Sequence, residues 1–233
     1  MNGVGIVGEP CPYLLQNDGW VVISLLFCFL CTGYVLAWEK NQIFHSIRKL
    51  FFRNELESLF PKQTIVDFYC RLLLILQTCI LIAILVLNYQ TSVLDSNIIL
   101  AHSPMLLGCY CGVAILFCFA KWYMYKFVNW IFFDKKSNKV WIENYFFIFA
   151  VIGFILLPVT LCIVYGDISF QLCKILPVIL MFLVLLLLIY KGFCIFFNHL
   201  HGVFYLFLYF CTLEIIPLLL AWKGMEMVNG IFI

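Results

Sequence analysis

Tyr145-Phe-Phe-Ile-Phe-Ala-Val-Ile-Gly-Phe-Ile-Leu-Leu-Pro-Val-Thr-Leu-Cys-Ile-Val-Tyr165 contains no charged side chain. Wound as a helix at 1.5 Å per residue, a run of this length covers about 30 Å, the hydrocarbon thickness of a bilayer. It is the core of an apolar segment, Trp141–Tyr165, and the chain holds five more segments of the same kind: Trp20–Trp38, Phe68–Leu87, Met105–Val128, Ile175–Tyr190 and Gly202–Trp222. The fifth is the shortest, and Phe193–Phe197 can extend it past Lys191. Hydrocarbon offers the backbone no water, so spans of this length are helices, and the alternating pattern of a membrane barrel is missing. The expected fold is an all-α bundle of six transmembrane helices in a single membrane domain, residues 1–233.

Composition agrees with that reading. Of 233 residues, 65% are hydrophobic and 11% charged, whereas soluble domains hold about 45–50% apolar and about 25% charged residues. A water-soluble globule of this composition would expose apolar surface and aggregate. Soluble enzymes, secreted disulfide scaffolds and disordered chains are excluded. The net charge of +2 is too small to imply a nucleic-acid partner.

The placement of the charges is more telling. Lys40, Arg48, Lys49, Arg53, Lys62, Arg71, Lys121, Lys126, Lys135, Lys136, Lys139 and Lys191 fall on one side of the expected layer, leaving Lys174 and Lys223 on the other. The positive-inside rule makes the crowded side cytoplasmic and puts both termini outside. The first span lacks the basic flank and small-residue cleavage site of a signal peptide, so it is expected to be retained. In the first cytoplasmic loop, Ile43, Ile47, Leu50 and Asn54 recur at helical spacing. Arg48, Lys49 and Arg53 lie largely off that stripe, as in an amphipathic helix resting on anionic headgroups. An ordinary basic loop is the alternative, and Pro61 marks a stop.

Glu214 is the most informative single residue. It lies about 18 Å into the sixth span, counted from Gly202 at the helical rise, deeper than the middle of the hydrocarbon. A carboxylate there must be paired or protonated. Pro217 removes a backbone donor one turn later and is expected to kink the helix. Glu214 reads as a proton- or substrate-binding carboxylate or, equally, as a polar clamp between helices. Lys121 is its candidate partner and shares a helix face with Tyr110, Ala114, Cys118 and Tyr125. The commoner fate of such a lysine is to snorkel outward to headgroups, which would leave Glu214 a protonated clamp. Gly108 and Gly112 form a G-x-x-x-G expected to pack a neighbouring helix closely.

The remaining candidates carry less. His199 and His201 read as an interfacial turn, with no Cys or carboxylate close in sequence to complete a metal site. No deep histidine pair suggests haem. Most of the 12 Cys lie inside apolar runs, where a free thiol behaves as a small hydrophobe; Cys11 and Cys173 alone are placed to meet an oxidising exterior. No hydrolase, zincin, Walker or Rossmann motif is found. No cofactor or metal is expected.

The stretch Tyr209-Phe-Cys-Thr-Leu-Glu-Ile-Ile-Pro217, together with Lys121–Tyr125, the basic loop and the Asn198–Gly202 turn, resembles the bacterial membrane-protein family called domain of unknown function 4271. The resemblance implies a protein of about six spans in the inner membrane of diderm bacteria, with no assigned activity, and attaches its motif to Glu214 and Pro217. The favoured expectation is a non-enzymatic accessory or scaffold subunit of an envelope-biogenesis or export complex, in contact with the lipid bilayer and other membrane proteins. The runner-up is a small proton-coupled transporter or channel using Glu214 and the breaks at Pro158 and Pro217. A membrane-embedded enzyme has least support.

Overall fold

A computed structural model describes residues 15–51, 65–91, 96–132, 135–166, 170–196 and 211–232, and among these the chain is helical apart from Asp18, Thr91 and Gly166. Six α-helices follow in order: α1 (Gly19–Phe51), α2 (Ile65–Gln90), α3 (Ser96–Phe132), α4 (Lys135–Tyr165), α5 (Phe170–Phe196) and α6 (Ile216–Phe232). A short 3₁₀ turn, Leu15–Asn17, precedes α1, and a π-helical turn, Cys211–Ile215, leads into α6. Among the described residues, five helices contain stretches long and apolar enough to cross a membrane: Gly19–Ala37, Tyr69–Gln90, His102–Phe127, Asn144–Tyr165 and Gln171–Lys191. These fall close to the first five expected segments. Residues 202–210, the first half of the expected sixth span, lie outside the described residues.

Most helices extend beyond the expected segments, α3 back to Ser96, α4 back to Lys135 and α6 on to Phe232 among them, and in α1 and α5 a charge ends an apolar run without ending a helix. Lys is a good helix former, so α5 begins at Phe170 and passes through Lys174, then through a buried Lys191 to Phe196. Helix α1 likewise does not stop at Trp38. Its 33 residues carry it without a break through Lys40, Arg48 and Lys49 to Phe51, about 50 Å in all. The region read as a separate interfacial helix is therefore, up to Phe51, a continuation of α1. The side chains of Arg48 and Lys49, and Arg53 entirely, lie outside the described residues. Helix α4 runs on through Pro158 rather than breaking there.

Helix α2 sits at the centre, packed on α1, α3 and most extensively on α4; α5 packs chiefly on α4, and α6 on α3. The α2–α4 seam is close because of Gly153. A Cβ there would stand 2.5 Å from Thr78 Oγ1 and 3.3 Å from the Leu74 carbonyl oxygen. Small residues let helix backbones approach where apolar burial supplies little drive, and polar side chains then bridge them. Gln77 donates to the Gly153 carbonyl at 3.4 Å and accepts from the Thr32 hydroxyl at 3.0 Å, joining α1, α2 and α4. Asp18 caps α1 through the Trp20 amide at 3.0 Å and also accepts from the Ser103 hydroxyl, two turns into α3. Around this core, α1 and α5 expose Phe29, Leu30, Val178 and Phe182 among many other large apolar side chains.

The expected close packing at Gly108 and Gly112 does not occur among the described residues. Nothing lies within 4 Å of a Cβ built at either position. Gly108 is exposed and Gly112 half-buried.

Candidate functional site

Lys121 points inward. Its ammonium stands 2.6 Å from Glu214 Oε2, and the two side chains are 1% and 7% exposed. The second carboxylate oxygen, Oε1, accepts from the Tyr125 hydroxyl. Tyr125 lies one turn after Lys121 on the same face of α3, so two donors reach the two oxygens of one carboxylate. Tyr110 and Ala114 on that face are buried as well. Outward snorkelling is thus not what this lysine does. The helix face it shares with buried neighbours directs its stem into the bundle.

A third bond explains the local backbone. Lys121 Nζ also donates to the Leu213 carbonyl oxygen at 2.6 Å. In a regular helix that carbonyl would accept from the amide four residues on, but residue 217 is proline and has none. Pro217 therefore leaves a polar atom unsatisfied inside the protein, and Lys121 satisfies it. Immediately before Pro217 the chain widens into the π-helical turn Cys211–Ile215, an arrangement common at functional sites. Pro217 itself is buried. The ammonium also lies 5.4 Å from the Phe117 ring centroid and 5.9 Å from that of Tyr125, within range of cation–π attraction.

The pairing fixes how α6 lies on α3. Lys121 meets Glu214, while a Cβ at Gly224 would lie 3.7 Å from Val113. Position numbers rise along α6 as they fall along α3, so the two helices are antiparallel. Every charge-bearing atom of the pair faces a counter-charge, hydroxyl, carbonyl or ring from this chain. The arrangement is complementary to an ionised carboxylate and an ammonium, not to the lone protonated acid expected from the sequence. Chemically it can hold two helices in register, and it can store or release a proton if the pair opens.

Tyr145 and a cavity complete the surroundings. The Tyr145 ring on α4 stacks at a tilt on Tyr125, centroids 4.8 Å apart. Glu214 and Tyr145 both line a cavity of about 580 Å³ between α2, α3, α4, α5 and α6. Sequence reading placed Tyr125 on the right face without a role, and passed over Tyr145, Gly153, Gln77 and Thr78. The available signal was polarity inside an apolar run. A glutamine and a threonine in the second span, or a tyrosine inside the fourth, each require a partner once buried. His199, His201 and Cys11 lie outside the described residues, and no cluster of three metal-binding side chains occurs among those described.

A family model described as "Domain of unknown function (DUF4271)" matches residues 21–225. No curated protein and no solved structure matches the chain.

Proposed function

Since the chain belongs to the DUF4271 family, whose description assigns no activity, we propose its function from the site: it is a multi-pass membrane protein acting as a non-enzymatic accessory or scaffold subunit. One observation carries this. The Lys121–Glu214–Tyr125 cluster is satisfied from within the chain, down to the carbonyl that Pro217 leaves open, so it serves to fix α6 against α3. Large apolar side chains exposed along α1 and α5 are available to lipid and to partner helices. The inner membrane, and an envelope-biogenesis or export complex within it, follow from what the sequence resemblance implies. Purification from membranes in mild detergent tests the proposal. Stoichiometric membrane subunits are expected to co-purify with the full chain, and a lone monodisperse protein would count against it.

A second reading, a proton-coupled transporter or channel, draws on the fact that Glu214 lines the cavity. It requires proton flux in proteoliposomes that a folded Glu214→Gln variant abolishes. Such a result would put transport ahead of scaffolding.

A further inference from the structure

The cavity has two unlike ends. Its wall is almost wholly apolar, supplied by residues such as Ile148 and Ile152 of α4, Val184, Leu185 and Leu188 of α5, and Leu218 of α6. Its size is that of a small-molecule site, for which about 300–1,000 Å³ is usual. It follows the π-helical turn and α6 from Glu214 to Glu226, about 18 Å at the helical rise and rather more than half a hydrocarbon core. At the Glu226 end it is polar and aromatic. Tyr89 and Trp222 meet edge to face at 5.9 Å, and the Trp222 indole N–H donates to Glu226 at 2.8 Å.

The inner end holds the decisive atom. Tyr145 is 6% exposed, packed between Tyr125 and Phe146, and its hydroxyl has no hydrogen-bond partner among the described residues. A buried hydroxyl left unpaired is costly. Both oxygens of Glu214, its polar neighbour in the lining, are already engaged by Lys121 and Tyr125. The cavity therefore offers one unused donor at its inner end and hydrocarbon along its length.

We propose that this cavity binds a neutral single-chain amphiphile, its tail along the apolar wall and its uncharged oxygen head accepting a hydrogen bond from the Tyr145 hydroxyl. The head is neutral because the Lys121–Glu214 pair is already balanced. A further charge would be buried without a partner, and an anionic one would also face the Glu214 carboxylate. The ligand enters from the lipid layer, through the seam between α5, which packs chiefly on α4, and α6, which packs on α3. This goes beyond the scaffold role, which stands whether or not the cavity is filled.

The test uses the full chain in mild detergent with methyl decyl ketone as probe and dodecane as the oxygen-free control. The ketone is expected to bind saturably and raise the unfolding midpoint. Tyr145→Phe should weaken ketone binding about five- to tenfold, the loss of one ordinary hydrogen bond, and leave dodecane binding unchanged. Without probe, Tyr145→Phe should be as stable as wild type or more so, because it deletes an unpaired hydroxyl. Leu185→Trp, which fills the cavity, should block both probes. Unchanged ketone affinity in Tyr145→Phe, or no saturable binding by folded wild type, would overturn the proposal. So would marked destabilisation of probe-free Tyr145→Phe, since the hydroxyl would then have an internal partner. Loss of a co-purified membrane protein on Leu185→Trp, with no probe binding, would hand the cavity to a partner helix instead.

Discussion

Lys121 and Glu214 differ from most ion pairs in that neither can turn to water. Removing one partner of a buried pair strands the other and costs about 3–5 kcal/mol, whereas replacing both with apolar residues of similar size is often tolerated. Lys121→Met and Glu214→Leu are each expected to lower unfolding stability by that order. The double variant should recover much of the loss, leaving the Leu213 carbonyl without its Lys121 donor; additive losses in a thermal or denaturant series would show that the two do not act as a pair. Glu214→Gln is likewise expected to destabilise, because a neutral amide cannot offset the ammonium. A lone protonated acid would have tolerated that change. Much of this site was legible: Glu214, Lys121 and Pro217 stand out in apolar runs, and the spacing of Tyr110, Ala114 and Tyr125 already held the answer to which way Lys121 turns. The general habit of lysines near helix ends pointed outward, and the local face overrode it. Tyr145 escaped notice because a tyrosine in an aromatic-rich span gives no sign of whether its hydroxyl is satisfied.

Between elements, glycines matter only where another backbone is near. Gly153→Leu is expected to be strongly destabilising, since even a Cβ would meet Thr78 Oγ1 at 2.5 Å and the α2–α4 seam would have to open. Gly108→Leu and Gly112→Leu should leave the thermal midpoint close to wild type, and a large loss in either would show an unseen neighbour on that face. The motif reading chose the wrong pair for a physical reason. Four-residue spacing of glycines describes a smooth patch, and smoothness helps only on a face turned toward another helix. Gly153 has Phe149 and Leu157 at that spacing, so a motif search passes over it, while Gln77 and Thr78 on the facing helix are what require the close approach. Helix existence was plain from apolar length, but helix ends were less so, because Lys174 and the basic stretch after Trp38 mark the end of hydrocarbon, not of hydrogen bonding; the extension past Lys191 was the one that Phe193–Phe197 made legible.

For the molecule as a whole, orientation rests on the lysine and arginine bias alone. In a variant stripped of native cysteines, a thiol placed at Ser137 is expected to react with impermeant reagent from the cytoplasmic side and one at Asn97 from the outside; the reverse pattern would invert the topology. The tie between α3 and α6 also has a history in time. Lys121 and Glu214 are 93 positions apart, and at synthesis rates of about 5–20 residues per second the lysine waits roughly 5–20 s for its counter-charge. During that interval its ammonium must be kept near headgroups or shielded by the insertion machinery. A chain that terminates before residue 214 never leaves this state. Such a chain is expected to carry an uncompensated cation where the finished one carries a closed ion pair.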